Sequence, residues 1–173
     1  PGKVALLLEA GGAAQLEDKD QNGSLPMQYA ARSSSSLEVV ALLLEAGGAA
    51  QLEAKAQDDM LPMHYAAWNS NSAEVVALLL EAGGAAQLEA KDQHGSLPMH
   101  YAARSSSSLE VVALLLEAGG AAQLEAKAQE DMLPMHYAAW NSKSAEVVAL
   151  LPEAGGWPLY TSPTPRNSAS TSM

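Results

Sequence analysis

Three histidines, His64, His100 and His136, invite a metal-centre reading, because imidazole is a common ligand of zinc and its neighbours. They stand 36 residues apart, each inside the same segment Leu-Pro-Met-His-Tyr-Ala-Ala. Equivalent positions on neighbouring packed helices lie about 8 to 10 Å apart, whereas zinc ligands sit about 2 Å from the ion. Adjacent equivalents therefore cannot share one ion. In the first copy Gln28 takes the place of the histidine. Glutamine can donate and accept a hydrogen bond but does no acid–base chemistry, so hydrogen bonding is the role all four residues can share. The carboxylate pairs Asp58-Asp59 and Glu130-Asp131 fall in polar turn segments, where charge is normally solvated. The Ala-Gly-Gly-Ala-Ala segments follow apolar helical patterns, whereas phosphate-cradling loops precede a helix, so they read as C-terminal stops. Asn22-Gly23-Ser24 matches a glycosylation sequon and reads most simply as a turn. No nucleophile paired with a base and no buried carboxylate pair can be assembled. The expectation is a chain without catalysis, cofactor or metal.

The chain has 173 residues, a formal charge of −11, and no cysteine, phenylalanine or isoleucine. Without cysteine, neither a thiolate zinc site nor a disulfide scaffold can form. An acidic chain with pI near 4.6 also lacks the basic field that a phosphate backbone attracts, so nucleic acid is not an expected partner. The longest apolar runs, such as 39–44, are far short of the roughly 20 residues of a membrane helix. No signal peptide pattern opens the sequence. The expectation is a soluble cytoplasmic protein, with the nucleus as a second setting.

An internal repeat positions all of these residues. Leu-Pro-Met-(Gln/His)-Tyr-Ala-Ala begins at Leu25, Leu61, Leu97 and Leu133, and Glu-Ala-Gly-Gly-Ala-Ala-Gln-Leu-Glu begins at Glu9, Glu45, Glu81 and Glu117. A longer period is nested inside. Arg-Ser-Ser-Ser-Ser follows the first and third copies at Arg32 and Arg104, whereas Trp-Asn-Ser follows the second and fourth at Trp68 and Trp140. The duplicated unit is thus an A repeat followed by a B repeat. Residues 9–80 and 81–152 differ only at Asp18/Ala90, Asn22/His94, Gln28/His100, Asp58/Glu130, Asn71/Lys143 and Leu80/Pro152.

Each repeat reads as two helices and a turn. Proline at the first helical position starts the shorter helix at Pro26, Pro62, Pro98 and Pro134. The longer one begins near Leu37, with Ser35/Glu38, Asn71/Glu74 and Ser107/Glu110 at capping spacing and Ser142 or Ser144 serving in the last copy. It ends at Gly47-Gly48. It is apolar nearly all round, so it must be packed on several sides. The polar stretch after it, such as 85–96, reads as an extended excursion closing in a turn. Asp59 and Asp131 replace the turn glycine in B repeats, and aspartate tolerates positive φ better than most residues. Pro152 should kink the final long helix or stop it early.

The recurring Gly-Ser-Leu-Pro-Met-His-Tyr-Ala-Ala at 95–103, followed by Leu-Glu-Val-Val-Ala-Leu-Leu-Leu-Glu-Ala-Gly at 109–119, resembles the ankyrin repeat and its Thr-Pro-Leu-His-x-Ala signature. The resemblance covers roughly residues 3–156. It implies an all-α solenoid of helix-turn-helix units joined by hairpin-like loops, used for protein binding. It also implies that the histidines bond the backbone of an adjacent turn. Two departures stand out: the period is 36 rather than 33, and leucine replaces the threonine, so backbone groups or water must supply the lost cap. A tetratricopeptide array is the rival, but its Trp and Leu-Gly markers are not in the expected places.

On this resemblance residues 1–156 form the array, with a lone long helix at 1–12 and helix pairs at 25–48, 61–84, 97–120 and 133–156. Residues 157–173 form a Pro/Ser/Thr-rich disordered tail, of which Trp157, Leu159 and Tyr160 could cover the last repeat. Beginning inside a repeat suggests a fragment. The resemblance places binding at the turn tips and the inward side of the short helices. That strip carries Arg32, Trp68, Arg104 and Trp140 beside Tyr29, Tyr65, Tyr101 and Tyr137, with Met60 and Met132 as apolar tips. These types are enriched in interface cores. The competing roles are structural: tyrosines packed between helices, tryptophans covering seams. The expectation is a monomeric scaffold for a protein or peptide with some basic residues, or else an accessory segment of a larger enzyme or channel.

Overall fold

The computed structural model describes residues 1–33, 37–69, 73–105, 109–141 and 145–154. Among them there is no strand, and four helix pairs follow a single long helix. The lone helix is α1 (Gly2–Gly11); the pairs are α2 (Pro26–Arg32) with α3 (Leu37–Gly47), α5 (Pro62–Trp68) with α6 (Ala73–Gly83), α8 (Pro98–Arg104) with α9 (Leu109–Gly119), and α11 (Pro134–Trp140) with α12 (Ala145–Ala154). One-turn helices α4 (Ala50–Glu53), α7 (Ala86–Glu89) and α10 (Ala122–Glu125) follow the long helices of the first three pairs, α3, α6 and α9. That corrects the expectation of an extended excursion there. The turn is held because its Gln-Leu pair is wanted inside: Gln87 and Leu88 are buried, and the Gln87 amide donates to the Leu52 carbonyl one repeat back.

The short helices start where proline pre-sets φ, after a leucine in extended conformation (Leu25 φ −86°, ψ 165°). Backbone groups take over from the missing threonine hydroxyl, as the sequence suggested: the N–H groups of Gln28, His64, His100 and His136 donate to the carbonyls of Leu25, Leu61, Leu97 and Leu133 at 2.9 to 3.1 Å, and side chains secure the leucine N–H groups in turn. Gln28 Oε1 accepts the Leu25 N–H at 2.9 Å, and the Nδ1 atoms of His64, His100 and His136 accept from Leu61, Leu97 and Leu133 at 2.9 to 3.1 Å. The long helices stop where expected. Gly48 takes φ +61° and its N–H bonds the Leu44 carbonyl, a conformation glycine adopts without penalty. Its neighbour Gly47 has a different reason to lack a side chain, since a Cβ would lie 2.6 Å from Gln51 Cγ. The serines and asparagine expected to cap the long helices, Ser35, Asn71, Ser107, Ser142 and Ser144, lie outside the described residues, as does the segment 155–173. The last helix does not stop before Pro152. It runs to Ala154, with Val147 and Leu151 buried against its neighbours, so packing outweighs a hydrogen bond lost in the final turn.

Short helices stack on short helices (α2, α5, α8, α11) and long on long (α1, α3, α6, α9, α12). Between the two rows runs one continuous core in which every layer repeats the same residues: Met63 and Met99 from the short helices, Val76, Val112, Leu79 and Leu115 from the long ones, all fully buried. Ala66 and Ala102 let the short helices approach closely. The turn tips are joined by a backbone ladder along the stack, in which the N–H groups of Gln57, Gln93 and Gln129 donate to the carbonyls of Asn22, Asp58 and His94.

Candidate functional site

The turn tips differ between A and B repeats, and the difference sets where the tyrosines sit. In A repeats an aspartate opens the turn. Asp92 Oδ1 accepts the N–H groups of His94 and Ser96 at 2.8 Å, and Oδ2 accepts the Tyr101 hydroxyl at 2.6 Å. Asp20 does the same for Asn22, Ser24 and Tyr29. In B repeats Ala56 and Ala128 stand at that position. There the turn closes through two consecutive left-handed residues, Asp58 (φ 64°) and Asp59 (φ 59°), or Glu130 and Asp131. The aspartates were expected to tolerate this conformation; that Glu130 shares it was not.

The tyrosine anchors are the residues that sequence reasoning missed. Asp92 is buried, and the signal for it was the Asp/Ala alternation nine residues before each tyrosine. Burial and the bond to Asp92 hold the Tyr101 hydroxyl far above its usual range, so it stays a neutral donor. Tyr29 is also raised, first by its bond to Asp20, whose carboxyl the same bond lowers. We expect Asp92→Ala to cost about 2 to 3 kcal/mol, because it strands two turn N–H groups and a partly buried hydroxyl. Urea denaturation measures that cost, and spectrophotometric titration should show the Tyr101 pKa falling.

Trp68, from the end of α5, reaches onto the next repeat. Its ring lies 5.6 Å from the Tyr101 ring, and the Arg104 guanidinium lies 5.8 Å above it. It covers a seam and still leaves 44% of its surface exposed, whereas Trp140 is 76% exposed. Arg32 and Arg104 are exposed, Arg32 lying 5.9 Å over the Tyr29 ring. Tyr29 is exposed, and Tyr65, Tyr101 and Tyr137 are half-buried. Met60 is corrected: its side chain is buried, because the B-type turn folds it under the tip, and Met132 is half-buried. The tips carry polar side chains in their place.

Some of these residues converge on a cleft. Between the first and second repeats a space of about 270 Å³ is walled by Tyr29 and Arg32 on one side and Tyr65 and Trp68 on the other, with Asp58 and Met60 at the tip end. His64 and His100 lie beneath this surface rather than in it. His64 Nε2 bonds the Ser96 carbonyl at 3.2 Å and His100 Nε2 the Ala126 carbonyl at 3.0 Å, which places the proton on Nε2 because Nδ1 accepts. Gln28 reproduces the arrangement through Nε2 to the Ala54 carbonyl. Burial lowers the pKa of His64 and His100 and keeps both neutral. Among the described residues no three His, Asp or Glu side chains form a group that could hold a metal. Among them, too, no helix is long and apolar enough to cross a membrane.

Paired helices stacked in two rows, with the turn tips laddered along one edge, define a helix-pair repeat solenoid. The family model described as ankyrin repeats (3 copies) matches residues 2–92 and 63–156, and the chain belongs to the ankyrin repeat family. Members of that family are generally protein–protein interaction modules and typically non-catalytic. No curated protein matches the sequence.

Proposed function

We propose that this array binds a protein or peptide on the concave side formed by its short helices and turn tips. Arg32, Trp68, Arg104 and Trp140 serve as anchors, and Tyr29, Tyr65, Tyr101 and Tyr137 form the floor between them. The cleft between Arg32 and Trp68 carries the proposal. It combines two aromatic walls, a guanidinium and a carboxylate in a space suited to one or two peptide side chains. The tip carboxylates Asp58, Asp59, Glu130 and Asp131 favour a partner with basic residues, which they would steer as well as hold. Half-buried Met132 contributes some apolar surface at its tip, whereas buried Met60 only borders the cleft. Binding here is non-catalytic and uses no cofactor.

Selection from a random peptide library tests this reading. The recovered ligands should carry basic residues, and Trp68→Ala/Trp140→Ala should weaken their binding at least about tenfold. Equal affinity in a double variant with unchanged helix content would remove the tryptophans as anchors.

A further inference from the structure

The two ends of the stack are the two halves of a junction that already occurs inside it. Where the first B repeat meets the second A repeat, α5 packs on α8 and α6 on α9. Trp68 seats on Tyr101 and Arg104, His64 Nε2 meets the Ser96 carbonyl, and the Gln93 N–H meets the Asp58 carbonyl. The last repeat is again B, and its 133–142 segment is identical to 61–70. The first full repeat is again A, and 21–33 differs from 93–105 only at Asn22 and Gln28. Among the described residues the short-helix side of each half lies open. Trp140 is 76% exposed where Trp68 is 44% exposed. His136 and Ala139 are exposed where His64 and Ala67 are buried. At the other end Pro26 is exposed where Pro98 is buried, and Tyr29 is exposed where Tyr101 is half-covered.

We propose that chains of these 173 residues associate head to tail, the final B repeat of one copy seating on the first A repeat of the next. Trp140 then rests on Tyr29 and Arg32 of the second copy, and the A-B alternation continues across the boundary without a break in register. Because the two surfaces are different, the contact is heterologous and does not close on itself as a two-fold dimer does. The obstacle in the way is α1, which lies on α3 in the place that α12 of the incoming copy must take, as α6 lies on α9. It is poorly held: none of its residues is buried, and Leu6 and Leu7 are 66% and 59% exposed. The incoming α12 brings a residue pair, Val147 and Leu151, already ordered against α11. Association therefore exchanges a loosely docked helix for a complete repeat.

Sedimentation velocity of the full chain over a wide concentration series tests the proposal. The average mass should rise with concentration and pass that of a dimer. Trp140→Lys closes one end and Tyr29→Lys the other, so each alone should lose self-association by at least about tenfold. Mixed together, the two variants retain one live end each and should form a 1:1 dimer that grows no further. Ala139→Arg, on the same open face of α11, replaces Trp140→Lys if that variant loses its helical circular dichroism. A wild type that stays monomeric throughout would overturn the proposal, whether its ends stay bare or residues 155–173 cover them. Self-association by either single variant to the wild-type extent, or a mixture that remains monomeric, would overturn it equally.

Discussion

Leu79→Ala is expected to destabilise the array by about 3 to 4 kcal/mol, and Leu7→Ala by less than about 0.5 kcal/mol. The two leucines hold the same place in the repeat, 72 residues apart. Leu79 is fully buried between the two helix rows, so truncation removes its transfer free energy and leaves a cavity that rigid neighbours on both sides cannot fill. Leu7 is 59% exposed because no short helix lies over α1 among the described residues. Identical chemistry at identical register thus isolates the effect of packing. Urea denaturation measures both. Equal costs would mean that the core is not close-packed at this layer. Leu79 also sits mid-array, where each repeat is stabilised by its neighbours, so the variant should separate the unfolding of the two halves.

His100→Leu should cost about 3 kcal/mol, whereas His100→Gln should cost less than about 1 kcal/mol. Leucine fills much of the volume but leaves the Leu97 N–H without its 3.0 Å acceptor and the Ala126 carbonyl without its 3.0 Å donor, both inside the stack. Glutamine restores both bonds, as Gln28 already does in the first repeat. The same site gives a pH dependence. Burial lowers the folded-state pKa of His64 and His100 below the ordinary 6.5, so on acidification the unfolded chain takes up protons first. Stability is full above about 6.5 and falls as the pH drops below it toward the folded-state values. In His64→Gln/His100→Gln that part of the decline should vanish, which denaturation at a series of pH values will show.

Much of this fold is legible in the letters because each local signal repeats in phase. The proline starts, the Gly-Gly stops and the apolar long helices all agree across four copies. What the letters hide is of two kinds. One is short-range structure without a period: four residues, Ala-Gln-Leu-Glu, make one turn of helix only because Gln87 and Leu88 are drawn inward by the repeat behind. The other is the effect of neighbours on identical sequence. Nothing around Trp68 and Trp140 distinguishes them locally, yet one lies on Tyr101 and Arg104 and the other is bare. Met60 shows the same limit, since an apolar residue at a turn can point either way and only the left-handed pair Asp58-Asp59 turns it in. The candidate site was therefore legible as a set of residue types, and the cleft between Arg32 and Trp68 was not.

The alternation of aspartate-opened and left-handed tips gives the molecule a rule for changing length. Gain or loss of 72 residues leaves every junction made of the same two partners. A change of 36 sets two like repeats face to face. Two B repeats would bring a tryptophan onto a tyrosine that has no aspartate to fix it and onto a second tryptophan where arginine is needed. Recombination between copies is thus filtered by the geometry of its products, and arrays descended from this one should grow and shrink by pairs.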